Sequence, residues 1–237
     1  PFSVPNVVST PQLVLESRLS GRQWGDHVVC YRTNAQSRGV EEAMLSSRIP
    51  YIVIGGTNFY DRREVRDLLA YLRIAAGRAT FEDVRRSINT PFRYLGRVTT
   101  DALEQRIGDD VSLPEVRRFA EAGRGGLQRR QVGSVLEYCS IVEQVAAKIE
   151  TAKKPGEQPA LPARLLEDLC LRLDYAKWLT RDEGTESPEN NRVSNVRELV
   201  RSAERFKSVG ELLDYIDDVR ARAMNAKSGD RRAVVTL

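Results

Sequence analysis

The sequence predicts a mainly α protein, in which an all-helical inserted domain is carried by a partial parallel α/β portion. Apolar runs of strand length occur near the beginning of the chain and again at its very end, at residues 27–31, 51–54 and 233–237. A helix-sized segment separates the first two runs, as in parallel sheets. Between residues 58 and 229 the apolar residues recur at helical spacing instead. We therefore expect an α/β portion of residues 1–57 and 230–237, and a helical domain of residues 58–229.

Length and composition restrict the possible classes of protein. At 237 residues, 41% of them apolar, the chain can bury the core of one or two domains. It contains no apolar run of about 18 residues, so we expect no membrane span, and no secretory signal pattern at its start, so we expect a cytoplasmic protein. The net charge of +4 comes with many arginines, and this balance is compatible with binding to nucleic acid phosphates.

The cysteines and the single histidine exclude two kinds of site. Cys30, Cys139 and Cys170 are far apart and form no Cys-x-x-Cys pair, so a zinc site is not expected. With His27 as the only histidine, a nucleophile activated by histidine is not expected either. All three cysteines lie within apolar patterns, which predicts buried free thiols in a reducing compartment.

The N-terminal segment alternates strand and helix signals. Residues 6–9 are a short β-like run, and Thr10 followed by Pro11 is the start signal of a helix that ends near Leu19. Residues 27–31 are continuously apolar, which predicts a strand buried on both faces. The next predicted elements are a helix over 36–47 and a strand over 51–54.

The inserted domain carries helix signals along most of its length. Thr80 is a helix-capping residue and Pro91 a helix-ending one. The apolar spacing predicts helices over 61–76, 80–88, 99–107, 113–122, 134–149, 162–173, 194–206 and 209–224. Glycine, proline and polar residues predict loops over 123–126, 153–159 and 180–191. The first of these, with Arg124, Arg129 and Arg130, is interpreted as a solvated basic loop, and the alternative is a mobile basic loop near DNA.

Several motifs carry the functional information when they are taken together. They are Tyr31–Arg38, Gly55-Gly56 with Phe59–Arg73, Asn89-Thr90-Pro91-x-Arg93-x-x-Gly96, Leu173-Asp174-Tyr175, Arg192–Val200 and the terminal Val234–Leu237. From about residue 27 to the end this combination closely resembles the UvrD/Rep/PcrA-type superfamily 1 DNA helicases. The resemblance implies part of the RecA-like motor domain 2A, followed by the inserted domain 2B.

The resemblance implies a single-stranded DNA contact at Arg32 and Asn34. Both residues follow a predicted parallel strand, at the edge where open α/β sheets bind ligands. Arg32 can neutralise a phosphate, and Asn34 can hydrogen-bond to backbone or base. The alternative is that Arg32 forms a surface ion pair and that Asn34 caps the following helix.

The turn before Gly96 is the implied duplex-binding segment. Its candidate DNA contacts are Arg86, Asn89, Thr90, Arg93, Tyr94 and Gly96. A turn that leads into a helix N-terminus exposes backbone N–H groups and can hold phosphates without reading sequence. The family usually has Gly-Ile-Gly where this chain has Tyr94-Leu95-Gly96, and a tyrosine restricts φ and hinders close approach to the backbone. Tyr94 could instead stack or bond to sugar, and the alternative for the whole segment is a plain helix connection.

The crossing between the two domains supplies the hinge candidates. The resemblance places Gly55, Gly56, Arg62 and Arg63 at the 2A–2B junction. The alternative for the arginines is a solvated helix face with acidic partners three or four residues away.

The implied function is that of the DNA-binding, regulatory 2B region of an ATP-dependent 3′–5′ DNA helicase that acts in DNA unwinding and in repair or replication. Its partners would be DNA at a single-strand/duplex junction and the remaining motor domains. The chain has no Gly-x-x-x-x-Gly-Lys-[Ser/Thr] loop, so we expect no catalytic residue, cofactor or metal in it and no ATP hydrolysis by it. ATP and Mg²⁺ are implied for the parent helicase. The alternatives are a stand-alone helical DNA- or protein-binding module, or a motor-subunit fragment of a helicase–nuclease.

Overall fold

A computed structural model describes residues 10–31, 34–53, 59–108, 111–123, 126–182, 192–227 and 234–236. Most of these residues are helical and very few are in strands, which confirms the mainly α prediction. The predicted β-like run at 6–9 lies outside the described residues. Among those described, no helix combines the length and the apolar character that a membrane span requires.

Three short strands form one parallel sheet. They are β1 (Val28–Val29), β2 (Tyr51–Val53) and β3 (Val234–Thr236). The order is β1-β3-β2, and both neighbours run parallel to β3. Val235 aligns with Val28 on one side and with Ile52 on the other. The terminal apolar run therefore returns to the sheet that the N-terminal strands began, as the sequence predicts.

The helices beside this sheet are α1 (Thr10–Leu19) and α2 (Asn34–Ser46). Residues of these two helices form a small apolar core together with Ile49 and Tyr51. Its members are Val14, Val40, Met44, Ile49 and Tyr51. The prediction that residues 27–31 are buried on both faces is wrong, because Val28 is 55% exposed and Cys30 is exposed. In the described part of the sheet β1 pairs only with β3, so β1 is an edge strand.

The three cysteines are free thiols with different surroundings: Cys30 is exposed, Cys139 is buried and Cys170 is partly buried. Burial raises the pKa of both Cys139 and Cys170 to about 12. Since the thiolate is the reactive form, only about one part in 10⁴ of each is reactive at pH 8.

We therefore expect iodoacetamide at pH 8 to alkylate Cys30 in the native chain well before Cys139 and Cys170, as measured by mass spectrometry of timed samples. Chain unfolded in urea is the control, and all three cysteines should react there at similar rates. Equal rates in the native chain would contradict the burial of Cys139 and Cys170.

The remaining helices are α3 (Arg63–Ala75), α4 (Phe81–Ser87), α5 (Arg97–Ile107), α6 (Leu113–Glu121), α7 (Arg129–Thr151), α8 (Pro162–Arg172), α9 (Tyr175–Asp182), α10 (Arg192–Ala203) and α11 (Val209–Lys227). α7 begins at Arg129 and not at Ser134, because Gln128 and Gln131 form a reciprocal capping box at its start. α9 was not predicted, and the expected loop over 180–191 is helical as far as Asp182; residues 183–191 lie outside the described residues.

α3 is a buried helix against which three other helices pack. Val65, Leu68, Leu69 and Leu72 are essentially inaccessible to solvent. The helices α4, α7 and α8 pack against α3. Burial of such residues contributes roughly 1.5–3 kcal/mol each to folding.

The chain divides into two compact units. The first comprises Pro1–Arg62, Glu186–Asn195 and Asp214–Leu237, and the second comprises Arg63–Thr185 and Val196–Leu213. The boundaries between the two units therefore fall between Arg62 and Arg63, between Thr185 and Glu186, within α10 and within α11. The domain boundaries predicted at 57/58 and 229/230 stay a prediction, because compactness alone does not define an inserted domain.

Candidate nucleic-acid interface

The predicted duplex-binding residues lie on and beside one connection of the second unit, residues 88–96, which we call the α4–α5 turn. α4 begins after Thr80, whose side chain and that of Asp83 form a capping box. α4 ends at Ser87, and the turn that follows contains a cis peptide bond between Thr90 and Pro91. Gly96 then caps α5. The turn is thus bounded by the end of α4 at Ser87 and by the cap of α5 at Gly96.

Arg93 is buried inside the turn. Its Nη1 donates hydrogen bonds to the carbonyl oxygens of Ser87, Ile88 and Pro91 at 3.1–3.2 Å. Its Nη2 donates to the Tyr71 hydroxyl at 2.9 Å, and its guanidinium lies over the Tyr138 ring. A residue predicted to hold a DNA phosphate therefore binds the backbone of its own turn.

Asn89 and Thr90 also stabilise the turn from within. The Asn89 side-chain oxygen accepts hydrogen bonds from the backbone N–H groups of Arg93 (2.7 Å) and Leu95 (3.3 Å). The Thr90 carbonyl accepts one from the Tyr71 hydroxyl at 2.5 Å, and Thr90 is buried. Burial raises the pKa of Tyr71 to about 12, so this hydroxyl keeps its proton at neutral pH.

Tyr94 has the backbone conformation that glycine adopts readily. Its φ is +61°, which is uncommon for a non-glycine residue. The Gln131 side chain donates to the Tyr94 carbonyl at 2.6 Å, and the Arg130 guanidinium lies 4.2 Å from the centre of the Tyr94 ring. The side chain in place of the family's glycine is therefore accommodated and points its ring toward Arg130.

Two further exposed side chains, those of Phe92 and Arg97, lie in the turn and directly after it. The Phe92 ring lies 4.6 Å from the Tyr94 ring, between centroids. The Arg97 side chain at the start of α5 is 90% exposed and makes an ion pair with Asp101 at 3.4 Å. A methyl group added at Gly96 would meet nothing within 4 Å, so the backbone there is open to solvent. The first N–H groups of a helix have no partner within that helix, so this end of α5 favours anions.

Arg86, near the end of α4, is engaged in an ion pair with Asp67 of α3. Its Nη1 lies 3.0 Å from a carboxylate oxygen of Asp67, whose side chain is 3% exposed. Glu82 is a second acidic neighbour at 3.7 Å. Burial raises the pKa of Asp67 in spite of Arg86, which acts to lower it. The Tyr175 hydroxyl also donates to Asp67 at 3.3 Å.

The remaining predicted site residues belong to other parts of the chain. Arg32, Gly55 and Gly56 lie outside the described residues, and so does the side chain of Asn34, which is the first residue of α2. Arg62 donates to the Asn195 side chain at 2.6 Å, and the Arg63 guanidinium lies over the Trp178 ring. The structure thus brings together the duplex candidates only, and their DNA contacts stay predictions.

Sequence reasoning missed Phe92 and Arg97 and interpreted Arg130 as part of a solvated loop. The alternation of Phe92 and Tyr94 next to Arg93 was the available signal, because two aromatic rings two residues apart in a polar turn are not explained by packing. Arg130 could not be assigned to the turn, because its contact with Tyr94 joins residues 36 positions apart.

Comparison with known proteins identifies the family. The family model described as the UvrD-like helicase C-terminal domain matches residues 12–221, which is most of the chain. The chain belongs to the UvrD-like helicase C-terminal domain family. This confirms the resemblance drawn from the sequence motifs.

Curated proteins that are similar in sequence to this chain are named as DNA helicases. The chain is 28% identical over 192 residues to the "ATP-dependent DNA helicase PcrA" of Staphylococcus epidermidis RP62A. It is 28% identical over 189 residues to the protein of the same name from Staphylococcus aureus Mu50. In both cases the match covers 79% of this chain and 24% of the relative, so the chain spans about a quarter of the length of the relatives that it matches.

Proposed function

We propose that this chain is the DNA-binding and regulatory region, part of 2A with the inserted 2B domain, of an ATP-dependent 3′–5′ DNA helicase. The parent protein would bind ATP and Mg²⁺ in its remaining motor domains and unwind DNA in the cytoplasm during repair or replication. The phosphate-binding loop is absent from this sequence, so the ATP site does not fit the residues present. The chain's own role is therefore binding, and no step of hydrolysis is assigned to it.

The observation that carries the proposal is the exposed basic start of α5, next to the α4–α5 turn, in a chain of the UvrD-like family. Gly96 leaves the backbone open, and Arg97 extends into solvent beside it. An open helix N-terminus with an adjacent arginine can hold a phosphate without reading sequence.

The roles of the predicted residues follow from their contacts. Gly96 would be the backbone contact to a duplex phosphate, with Arg97 as its charged neighbour. Asn89, Thr90 and Arg93 would shape the turn from inside, and Arg86 would stabilise α4 through Asp67. The hinge at Gly55, Gly56, Arg62 and Arg63 stays part of the proposal. Its support is the passage between the two compact units at Arg62 and Arg63. Arg32 and Asn34 stay the proposed single-strand contacts.

We expect weak binding that does not depend on sequence and that is strongest at a duplex with a single-stranded tail. Dissociation constants of order 10⁻⁴ to 10⁻⁶ M are typical of such binding, with a log–log salt slope of roughly −0.9 per phosphate contact. Fluorescence anisotropy over a salt series, on tailed duplex, blunt duplex and single strand, measures both quantities. Arg97→Gln should weaken duplex binding equally for all sequences and reduce the slope by about one.

The chain offers matched controls for this experiment. Arg106→Gln removes an exposed arginine from the other end of α5 and should leave affinity and slope unchanged. Gly96→Ala should weaken duplex binding without a steric clash in the free chain, whereas Gly133→Ala within α7, also into open space, should not. Equal effects of Arg97→Gln and Arg106→Gln, or binding that does not respond to salt, would contradict the proposed phosphate contact.

A further inference from the structure

Building on the proposed DNA binding, we infer that Phe92 and Tyr94 form a stacking platform for an unpaired nucleobase beside the duplex. The proposed phosphate contact at Gly96 and Arg97 would hold the duplex backbone. The platform would take a base that has left the duplex, as occurs at a fork or a tailed end. The inference rests on the exposure of the two rings, on their fixed backbone and on the charge around them.

The two rings are more exposed than the other aromatic side chains that the structure describes. Phe92 is 61% exposed and Tyr94 is 51% exposed, and they are the aromatic residues among the large hydrophobic residues that remain exposed in the described part of the chain. Their ring centroids are 4.6 Å apart at an interplanar angle of 60°. By contrast Phe59, Tyr71, Tyr138 and Tyr175 are completely buried. Two adjacent exposed rings offer a π surface to a ligand.

The backbone that carries these rings is held in place before any ligand binds. The Asn89 side chain and the Arg93 guanidinium bind the turn from within, and Gln131 binds the Tyr94 carbonyl from α7. A surface fixed in this way loses little conformational entropy when it binds a partner. An aromatic pair exposed merely as part of a mobile loop would not have these contacts.

The charge beside the platform favours a nucleotide over an apolar protein segment. The Arg130 guanidinium lies 4.2 Å from the centre of the Tyr94 ring, and the Arg97 side chain is almost fully exposed nearby in sequence. Aromatic rings combined with arginines are the pattern of sites that bind single-stranded nucleic acid, where bases stack and the cations face phosphates. Bases inside a duplex have both faces covered by their neighbours, so an unpaired base is the form that can stack here.

The test uses 2-aminopurine, a fluorescent base whose emission is quenched by stacking on an aromatic ring. It is placed as the first unpaired base of a tailed duplex, and the 237-residue chain is titrated onto it at low salt. We expect quenching with the unchanged chain and its loss with Phe92→Leu, which keeps an apolar side chain but removes the ring. Affinity for the tailed duplex should fall roughly 5- to 160-fold, the size expected for the loss of one stacked base.

Three further comparisons separate stacking from other effects. Leu171→Ala removes an exposed apolar side chain of α8 and should change neither quenching nor affinity. Tyr94→Asn, a residue that tolerates positive φ, should reduce quenching while the chain keeps its fold by circular dichroism. On a blunt duplex without an unpaired base, Phe92→Leu should have no effect on affinity.

The outcomes also separate this inference from the proposed function. If Gly96→Ala and Arg97→Gln weaken binding while Phe92→Leu changes neither quenching nor affinity, the phosphate contact stands and the stacking platform is wrong. An equal loss of affinity on blunt and tailed duplexes with Phe92→Leu would also overturn the platform. If the unchanged chain binds neither DNA, both proposals fail together.

Discussion

Replacing Arg93 with methionine is expected to lower the free energy of unfolding by about 3 kcal/mol, because the guanidinium donates four hydrogen bonds in a buried site. Three carbonyl oxygens and the Tyr71 hydroxyl would lose a charged donor in a buried site. Methionine fills much of the volume of the arginine stem, so the loss reports the hydrogen bonds more than a cavity. Urea denaturation followed by circular dichroism measures the change.

Arg97→Gln is the matched comparison for this prediction, because it removes an arginine that is exposed at the start of α5. Its unfolding free energy should change by less than about 0.5 kcal/mol, as is usual at the surface. The loss of unfolding free energy in Arg93→Lys should lie between those of Arg93→Met and Arg97→Gln, since one ammonium cannot reach all the acceptors of a planar guanidinium. A stable Arg93→Met chain whose DNA salt slope fell by one would restore Arg93 as a phosphate contact.

The fold was predictable wherever local signals determine structure. Thr80 and Pro162 begin helices as their positions imply, because capping and the fixed φ of proline act within one turn. The three apolar runs predicted one parallel sheet, and they form it. α9 was missed because its short polar sequence has few apolar positions, yet Tyr175 and Leu179 are buried by their neighbours. Packing between distant segments decided that helix.

The candidate site was only partly predictable for the same reason. The motif identified the turn on which the candidate residues lie, but residue type alone could not separate arginines that face outward from those that face inward. Arg93 is buried by a turn whose conformation depends on Asn89 and Tyr71, and Arg86 is held by Asp67, 19 positions earlier in the chain. The strand at Val28 was expected to be buried on both faces, but periodicity does not report how many strands a sheet contains.

Removing Arg86 is expected to destabilise the chain by roughly 3 kcal/mol at neutral pH, because it leaves a buried carboxylate without its cation. Asp67 would keep the Tyr175 hydroxyl as a donor, while Arg63, the next cation that lowers its pKa, acts by charge alone. Burial already raises the pKa of Asp67, and the loss of Arg86 raises it further.

The raised pKa of Asp67 determines how the stability of the Arg86 variant depends on pH. A carboxyl whose pKa is higher in the folded than in the unfolded state binds more protons when folded, so it favours folding at low pH and opposes it as pH rises through the folded pKa. The destabilisation of Arg86→Ala should therefore be largest near pH 8 and shrink toward pH 5. Urea denaturation at several pH values measures it.

The double variant Arg86→Ala/Asp67→Asn is the decisive control, because asparagine carries no charge at any of these pH values. It should recover part of the lost stability at pH 8 and lose the extra pH dependence of the single variant. Arg85→Ala, which removes the neighbouring arginine from its exposed ion pairs with Asp101 and Glu104, should cost less than about 1 kcal/mol. A loss of stability in Arg86→Ala as small as that in Arg85→Ala, together with a lower salt slope of DNA binding, would contradict this prediction. Arg86 would then contact the duplex, and its ion pair with Asp67 would contribute little to stability.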